Sequence, residues 1–182
     1  MKISARLNPR FVVLALALTG MAWIVAPVQT PAATATGTMN VTASVAKNCA
    51  FTTGTLAFGN YDPTVTNAAS GADLKVTDSL TALFINCTTG VSATITLNNG
   101  VNTGASCSGT GPACLTDGSG DYLNYGVYTS NTFATLWTGA TTVGYTSAGA
   151  GATAIKMNGD IYKGQNVPVG SYTDTITATA TY

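Results

Sequence analysis

Gly170-Ser-Tyr-Thr-Asp-Thr-Ile-Thr-Ala-Thr-Ala-Thr-Tyr182 is the stretch that decides the fold class. Tyr172, Ile176, Ala178, Ala180 and Tyr182 share one parity with Asp174, while Thr173, Thr175, Thr177, Thr179 and Thr181 hold the other. Side chains of an extended chain point alternately to its two faces, so this is a strand with an apolar side and a wet side. Threonine suits the wet side because its branched Cβ favours extended backbone. The same period recurs upstream. Met39, Val41, Ala43 and Val45 alternate with Asn40, Thr42 and Ser44. Val91, Ala93, Ile95 and Leu97 alternate with Ser92, Thr94 and Thr96, and Leu123, Tyr125 and Val127 with Asn124, Gly126 and Tyr128. Leu80 to Cys87 is apolar on both parities, which predicts a central strand covered on both faces. Asn60-Tyr-Asp-Pro63, Asn98-Asn-Gly100, Gly118-Ser-Gly120 and Pro168-Val-Gly170 supply the turns between runs. With no helical period after the first 35 residues, the pattern is that of an all-β sandwich or barrel. The polar stretch from Asn98 to Gly120 reads as a surface loop.

The N-terminal residues indicate export. Lys2, Arg6 and Arg10 precede an apolar run from Phe11 to Ala26, interrupted by Thr19 and Gly20 and closed by Pro27. A basic start, a short apolar run and a small-residue site, Ala33-Thr-Ala35, predict a signal peptide over residues 1–35. The run is shorter than the ~20 apolar residues of a spanning helix. No later segment is apolar enough, so no membrane span is expected after cleavage. Cys49, Cys87, Cys107 and Cys114 make an even count in an exported chain and read as two disulfides. Three pairings are possible. Cys107-Ser-Gly-Thr-Gly-Pro-Ala-Cys114 favours closure of a small loop, which leaves Cys49 with Cys87. A zinc site fails on spacing, on the absence of histidine and on compartment.

Residues 36–182 retain Lys47, Lys75, Lys156 and Lys163 against seven aspartates, a net charge of 4 − 7 = −3. Both arginines lie in the leader, and there is no glutamate or histidine anywhere. Such a chain has no phosphate-neutralising surface, so nucleic acid is not an expected partner. It also lacks the groups of an ordinary serine or cysteine triad. Asp73 with Asp78, or Asp117 with Asp121, could in principle pair as glycosidase carboxylates, but all four sit in turn-like surroundings. Asp117-Gly-Ser-Gly-Asp121 lacks the full oxygen set of a calcium loop. No catalytic, cofactor or metal site is expected, and the chain does not read as an enzyme. Trp137, near Tyr128, is the one candidate platform for a sugar ring and otherwise a core residue.

Several local patterns also stand in a recognisable order. They are Val41-Thr-Ala-Ser-Val45 before Cys49, Leu56-Ala-Phe-Gly-Asn-Tyr-Asp-Pro63, Ile85-Asn-Cys-Thr88, Tyr122-Leu-Asn-Tyr-Gly-Val-Tyr128, Leu136-Trp137 and the terminal strand. Together they resemble the spore coat protein U domain family, which includes the subunits of archaic chaperone–usher pili. The resemblance implies an incomplete immunoglobulin-like β-sandwich completed by a donor strand from a neighbouring subunit. Residues 36–46 would be that N-terminal donor extension, inserting Met39, Val41, Ala43 and Val45, and residues 47–182 the pilin domain. Cys49 and Cys87 match the family's body disulfide, whereas Cys107 and Cys114 fall outside the shared pattern. The implied partners are identical or related pilus subunits arranged head to tail, a periplasmic chaperone and an outer-membrane usher. The implied destination is a surface fimbria supporting adhesion and biofilm formation. Two other readings stand beside it: a non-polymerising coat or surface protein with its first strand paired in cis, and a small carbohydrate-binding module using Trp137.

Overall fold

The computed structural model describes residues 29–102, 107, 112–149 and 151–182. Most of the predicted leader, residues 1–28, lies outside them. The chain divides into two units, Met1–Thr42 and Ala43–Tyr182. In the first, residues 29–42 form no strand and are all exposed.

The second unit is built of eight strands: β1 (Cys49–Thr53), β2 (Leu74–Cys87), β3 (Ser92–Leu97), β4 (Ala113–Thr116), β5 (Tyr122–Tyr128), β6 (Val143–Thr146), β7 (Thr153–Ile161) and β8 (Ala178–Thr181). Every pairing is antiparallel. One sheet has the order β1-β2-β7-β5-β4 and the other β6-β3-β8. Among the described residues there is no helix. The core joins inward residues of both sheets: Leu83 and Ile85 of β2, Ile95 and Leu97 of β3, Leu123, Tyr125 and Val127 of β5, and Met157 and Ile161 of β7. The alternations read at Val91–Leu97 and Leu123–Val127 fall on β3 and β5 with those residues buried. Cys49 is bonded to Cys87, and Cys107 to Cys114. The first bond staples β1 to β2, whose residues 49 and 87 are register partners.

Three local expectations need correction. Asn98 to Gly120 is not wholly a surface loop: it contains β4, in which Cys114 is fully buried and paired opposite Asn124. A strand of four residues is too short to show a period. Leu80 to Cys87 is central in the sheet order but not covered throughout, because Leu80 is half exposed and Asn86 exposed. The register between β2 and β7 shifts on both sides of Ser79, which turns Leu80 outward. The terminal strand is also broken. Ala178–Thr181 pair with β3, whereas Thr173 instead bridges Thr116 of the other sheet. Its alternation persists across the break: Tyr172, Asp174, Ile176, Ala178 and Ala180 are partly buried and the five threonines exposed. Tyr182, on the inward parity, is half exposed at the last position.

Candidate functional site

β1 and β8 are each the last strand of their sheet, paired on one side only. An open groove runs between the 55–64 segment that follows β1 and the 167–178 stretch that leads into β8. Gly54 extends the β1–β2 pairing by donating to the Ala82 carbonyl at 2.9 Å. Beyond it the chain leaves the sheet and lays Leu56 and Phe58 against the core. Gly159 makes room for them. A Cβ there would meet Phe58 Cζ at 2.6 Å and Leu56 Cδ2 at 3.0 Å, so any larger residue on β7 would push both side chains outward. Tyr61 anchors the end of this segment: its hydroxyl lies 3.0 Å from the Tyr162 carbonyl and accepts from the Gln165 amide at 3.0 Å. Asp62 then caps a tight turn. Hydrogen bonds from the Thr64 hydroxyl (2.7 Å) and the Thr64 amide (2.9 Å) hold its carboxyl at about 2, below the usual carboxylate range.

The opposite wall is the terminal stretch. The groove comprises two connected cavities. One of about 830 Å³ is bounded by Leu56, Phe58, Leu123, Ile161, Val167 and Tyr172. The other, of about 220 Å³, is bounded by Leu83, Leu97, Met157, Ile176 and Ala178. Both are lined by Thr55, Leu56, Phe58, Leu115 and Asp174. The wall side chains Leu56, Phe58, Tyr172, Ile176 and Ala178 are only partly buried, although each packs on the core. Inward residues elsewhere, such as Ile85 and Ile95, are wholly covered. An apolar cleft flanked by unpaired strand edges is a place where another strand can add both backbone hydrogen bonds and side-chain burial.

The other candidate residues lie elsewhere. Met39 and Val41 are 85% and 86% exposed in the first unit, and Val45 is 84% exposed in the second. Ala43 is exposed as well, and none of the four belongs to a strand. Trp137 is not a sugar platform: it is 2% exposed, its indole N–H donates to the Ile95 carbonyl at 3.1 Å, and Tyr128 of β5 is buried too. The carbohydrate-module reading therefore loses its surface. The Asp117 carboxylate accepts from the amides of Ser119 (2.8 Å) and Asp121 (3.2 Å), which makes it the organiser of a turn. Asp73 accepts from the Lys163 amide and Asp78 meets Lys156 at 3.6 Å, each in a separate contact. Among the described residues no three histidine, cysteine, aspartate or glutamate side chains cluster as metal ligands would. Sequence reasoning missed Asp160, a buried acid on β7. It also missed the line formed by Phe58, Tyr125 and Asp174 across the groove, although a charge on the inward parity of the terminal strand was its visible signal.

The architecture thus defines a disulfide-bonded all-β domain of two sheets, open along a groove between the segment after β1 and the stretch leading into β8. The chain belongs to the Spore Coat Protein U domain family, whose model matches residues 35–179. It is 38% identical over 173 residues to Protein U of Myxococcus xanthus, covering 91% of this chain and 95% of that protein. Its fold is shared with a chain of the CsuC–CsuE chaperone–tip adhesion subunit pre-assembly complex from the archaic chaperone-usher Csu pili of Acinetobacter baumannii. That match has a TM-score of 0.51 and 18% identity, and covers 76% of this chain and 40% of the other.

Proposed function

We propose that the chain is a structural subunit of an extracellular fibre, completed by a strand donated from a neighbouring copy. The observation that carries this is the open groove between the segment that follows β1 and the stretch that leads into β8, both edge strands, whose apolar wall residues Leu56, Phe58, Tyr172, Ile176 and Ala178 are left partly covered. The N-terminal extension, residues 36–46, has the complementary form: exposed, in no strand, and apolar at every second position. Full burial of Met39, Val41 and Val45 would contribute ~1.5–3 kcal/mol each. New backbone hydrogen bonds would add ~1 kcal/mol apiece, opposed by the entropy of ordering the segment. One groove and one extension per chain make the contact head-to-tail, which propagates into a filament. On this reading, which accords with the fold shared with a chain of a chaperone–usher pilus complex, the protein is exported to the periplasm, captured by a chaperone, passed to an outer-membrane usher and displayed as a surface fimbria that serves adhesion and biofilm formation.

Deleting residues 36–46 tests the reading. The truncated chain is expected to remain as monomer where the longer chain builds denaturant-resistant multimers; equal assembly by both would overturn it. A second reading, a non-polymerising coat protein of the same fold, takes its coat role from the Spore Coat Protein U domain family match. It predicts that the longer chain, too, stays monomeric at every concentration.

A further inference from the structure

The groove has a waist. Phe58 approaches it from the β1 side, with its ring edge-on to Tyr125 at 5.9 Å between centroids. The Tyr125 hydroxyl donates to Asp174 Oδ2 at 2.8 Å from the other side. These three side chains cross the groove floor from wall to wall, and Asp174 stands where the two cavities meet. Its other oxygen accepts from the amides of Val101 (3.0 Å), Asn102 (3.3 Å) and Thr175 (2.7 Å). With these donors the carboxylate is held in one place, on a strand position otherwise occupied by apolar side chains. The terminal stretch also changes sheets here, from β3 partners after residue 177 to Thr116 before residue 174.

An incoming strand therefore meets a compartment walled in part by Leu56, Phe58, Leu123 and Tyr172, a fixed carboxylate, and a second compartment walled in part by Leu83, Leu97, Met157 and Ile176. Large side chains fit on either side of the waist. A large apolar side chain at the waist would collide with Asp174 or displace it from Tyr125. In the N-terminal extension the inward parity runs Met39, Val41, Ala43, Val45, and its one small member has larger neighbours on both sides. We propose that Asp174, braced by Tyr125, sets the register of the donated strand by admitting only a small residue opposite it, and that Ala43 is that residue. This rests on the reading of the groove as the acceptor of residues 36–46 and names its specificity-determining contact.

The test compares the rate at which purified chains carrying the extension form denaturant-resistant multimers. Ala43→Leu is expected to slow assembly at least tenfold, whereas Val41→Leu, which adds bulk away from the waist, slows it less than threefold. Asp174→Ala combined with Ala43→Leu recovers most of the lost rate. The contrast between positions 43 and 41 stands even if the Asp174 variant does not fold, since both those residues are exposed in the unassembled chain. If deletion of residues 36–46 abolishes assembly but Ala43→Leu assembles as fast as the parent, the waist is not a selector while the acceptor reading survives. If the parent does not assemble, or the deletion assembles equally, both are overturned.

Discussion

Replacing Asp160 with asparagine should stabilise this protein near neutral pH and remove most of the pH dependence of its stability between about 4 and 7. Asp160 lies on β7, 4% exposed, and its Oδ1 is buried with no hydrogen-bond partner. Lys75 of β2 faces it at 3.9 Å and is shared with Asp73, also at 3.9 Å. The Lys75 ammonium is further drawn over the Phe133 ring, 4.5 Å from its centroid. Tyr162 faces the carboxylate from the chain just beyond β7, and Gly126 of β5 is its register partner, offering no charge. Burial, then the Asp73 carboxylate, push the Asp160 pKa up to about 6, and Lys75 offsets only part of this. In the unfolded chain the same group titrates near ~3.9. Between these values the folded state binds the extra proton, so this contribution is complete below pH ~4 and is lost as pH rises through about 6. A difference of roughly two units at ~1.4 kcal/mol per unit sets a ceiling of about 3 kcal/mol. Asp62, held at about 2, works in the opposite sense: its stabilisation is present above pH ~4 and is lost towards about 2. Stability should therefore peak near pH ~4–5. Urea unfolding with disulfides intact, run at several pH values from about 4.5 to 8, measures both curves. Asp160→Asn is expected to exceed the parent by about 1–3 kcal/mol at pH ~8 and to match it near pH ~4.5. A parent whose stability is flat or rises over that range, or a variant with the parent's slope, would refute the reasoning.

Other outcomes follow from the packing. Trp137→Ala removes a buried ring and its hydrogen bond to the Ile95 carbonyl, and should lower stability by ~3–5 kcal/mol in thermal or urea melts. Replacing Cys49 and Cys87 together by serine opens a loop of sequence separation 38, and should cost about 4 kcal/mol by loop-closure entropy, read as a lower urea midpoint. Gly159→Ala places a methyl within 3.0 Å of Phe58 and Leu56, and should destabilise by ~1–3 kcal/mol while shifting Phe58 ring resonances in proton NMR.

The strands legible in the sequence were those whose inward and outward residues differ in kind. On β3 and in the terminal stretch, serine and threonine mark one face and mainly apolar residues the other, so a period of two is visible without any knowledge of neighbours; on β5 the inward Leu123, Tyr125 and Val127 could be read, but its other parity carries Gly126 and Tyr128, which are buried as well. β4 was not legible because four residues give no period, and its Cys114 is buried by β5, a partner known only from the fold. The burial of Asp160 was not legible for a related reason. An acid at an outward position normally meets water, but here β2, the Phe133 turn and Tyr162 cover that face of the sheet. The groove was half legible. The inward parity of Asp174 could be read, but the meeting of Phe58, Tyr125 and Asp174 brings together residues 49 to 116 positions apart, a result of sheet order rather than of any local signal.

In an assembled fibre the groove of one chain would be filled by the extension of another. A photo-reactive side chain placed at Val41, in an equal mixture of isotope-heavy and isotope-light chains, tests it most directly. Cross-links are expected to join heavy to light chains and to map to peptides containing Leu56–Phe58 or Tyr172–Ala178. Cross-links confined within single chains, or falling outside the groove, would contradict it.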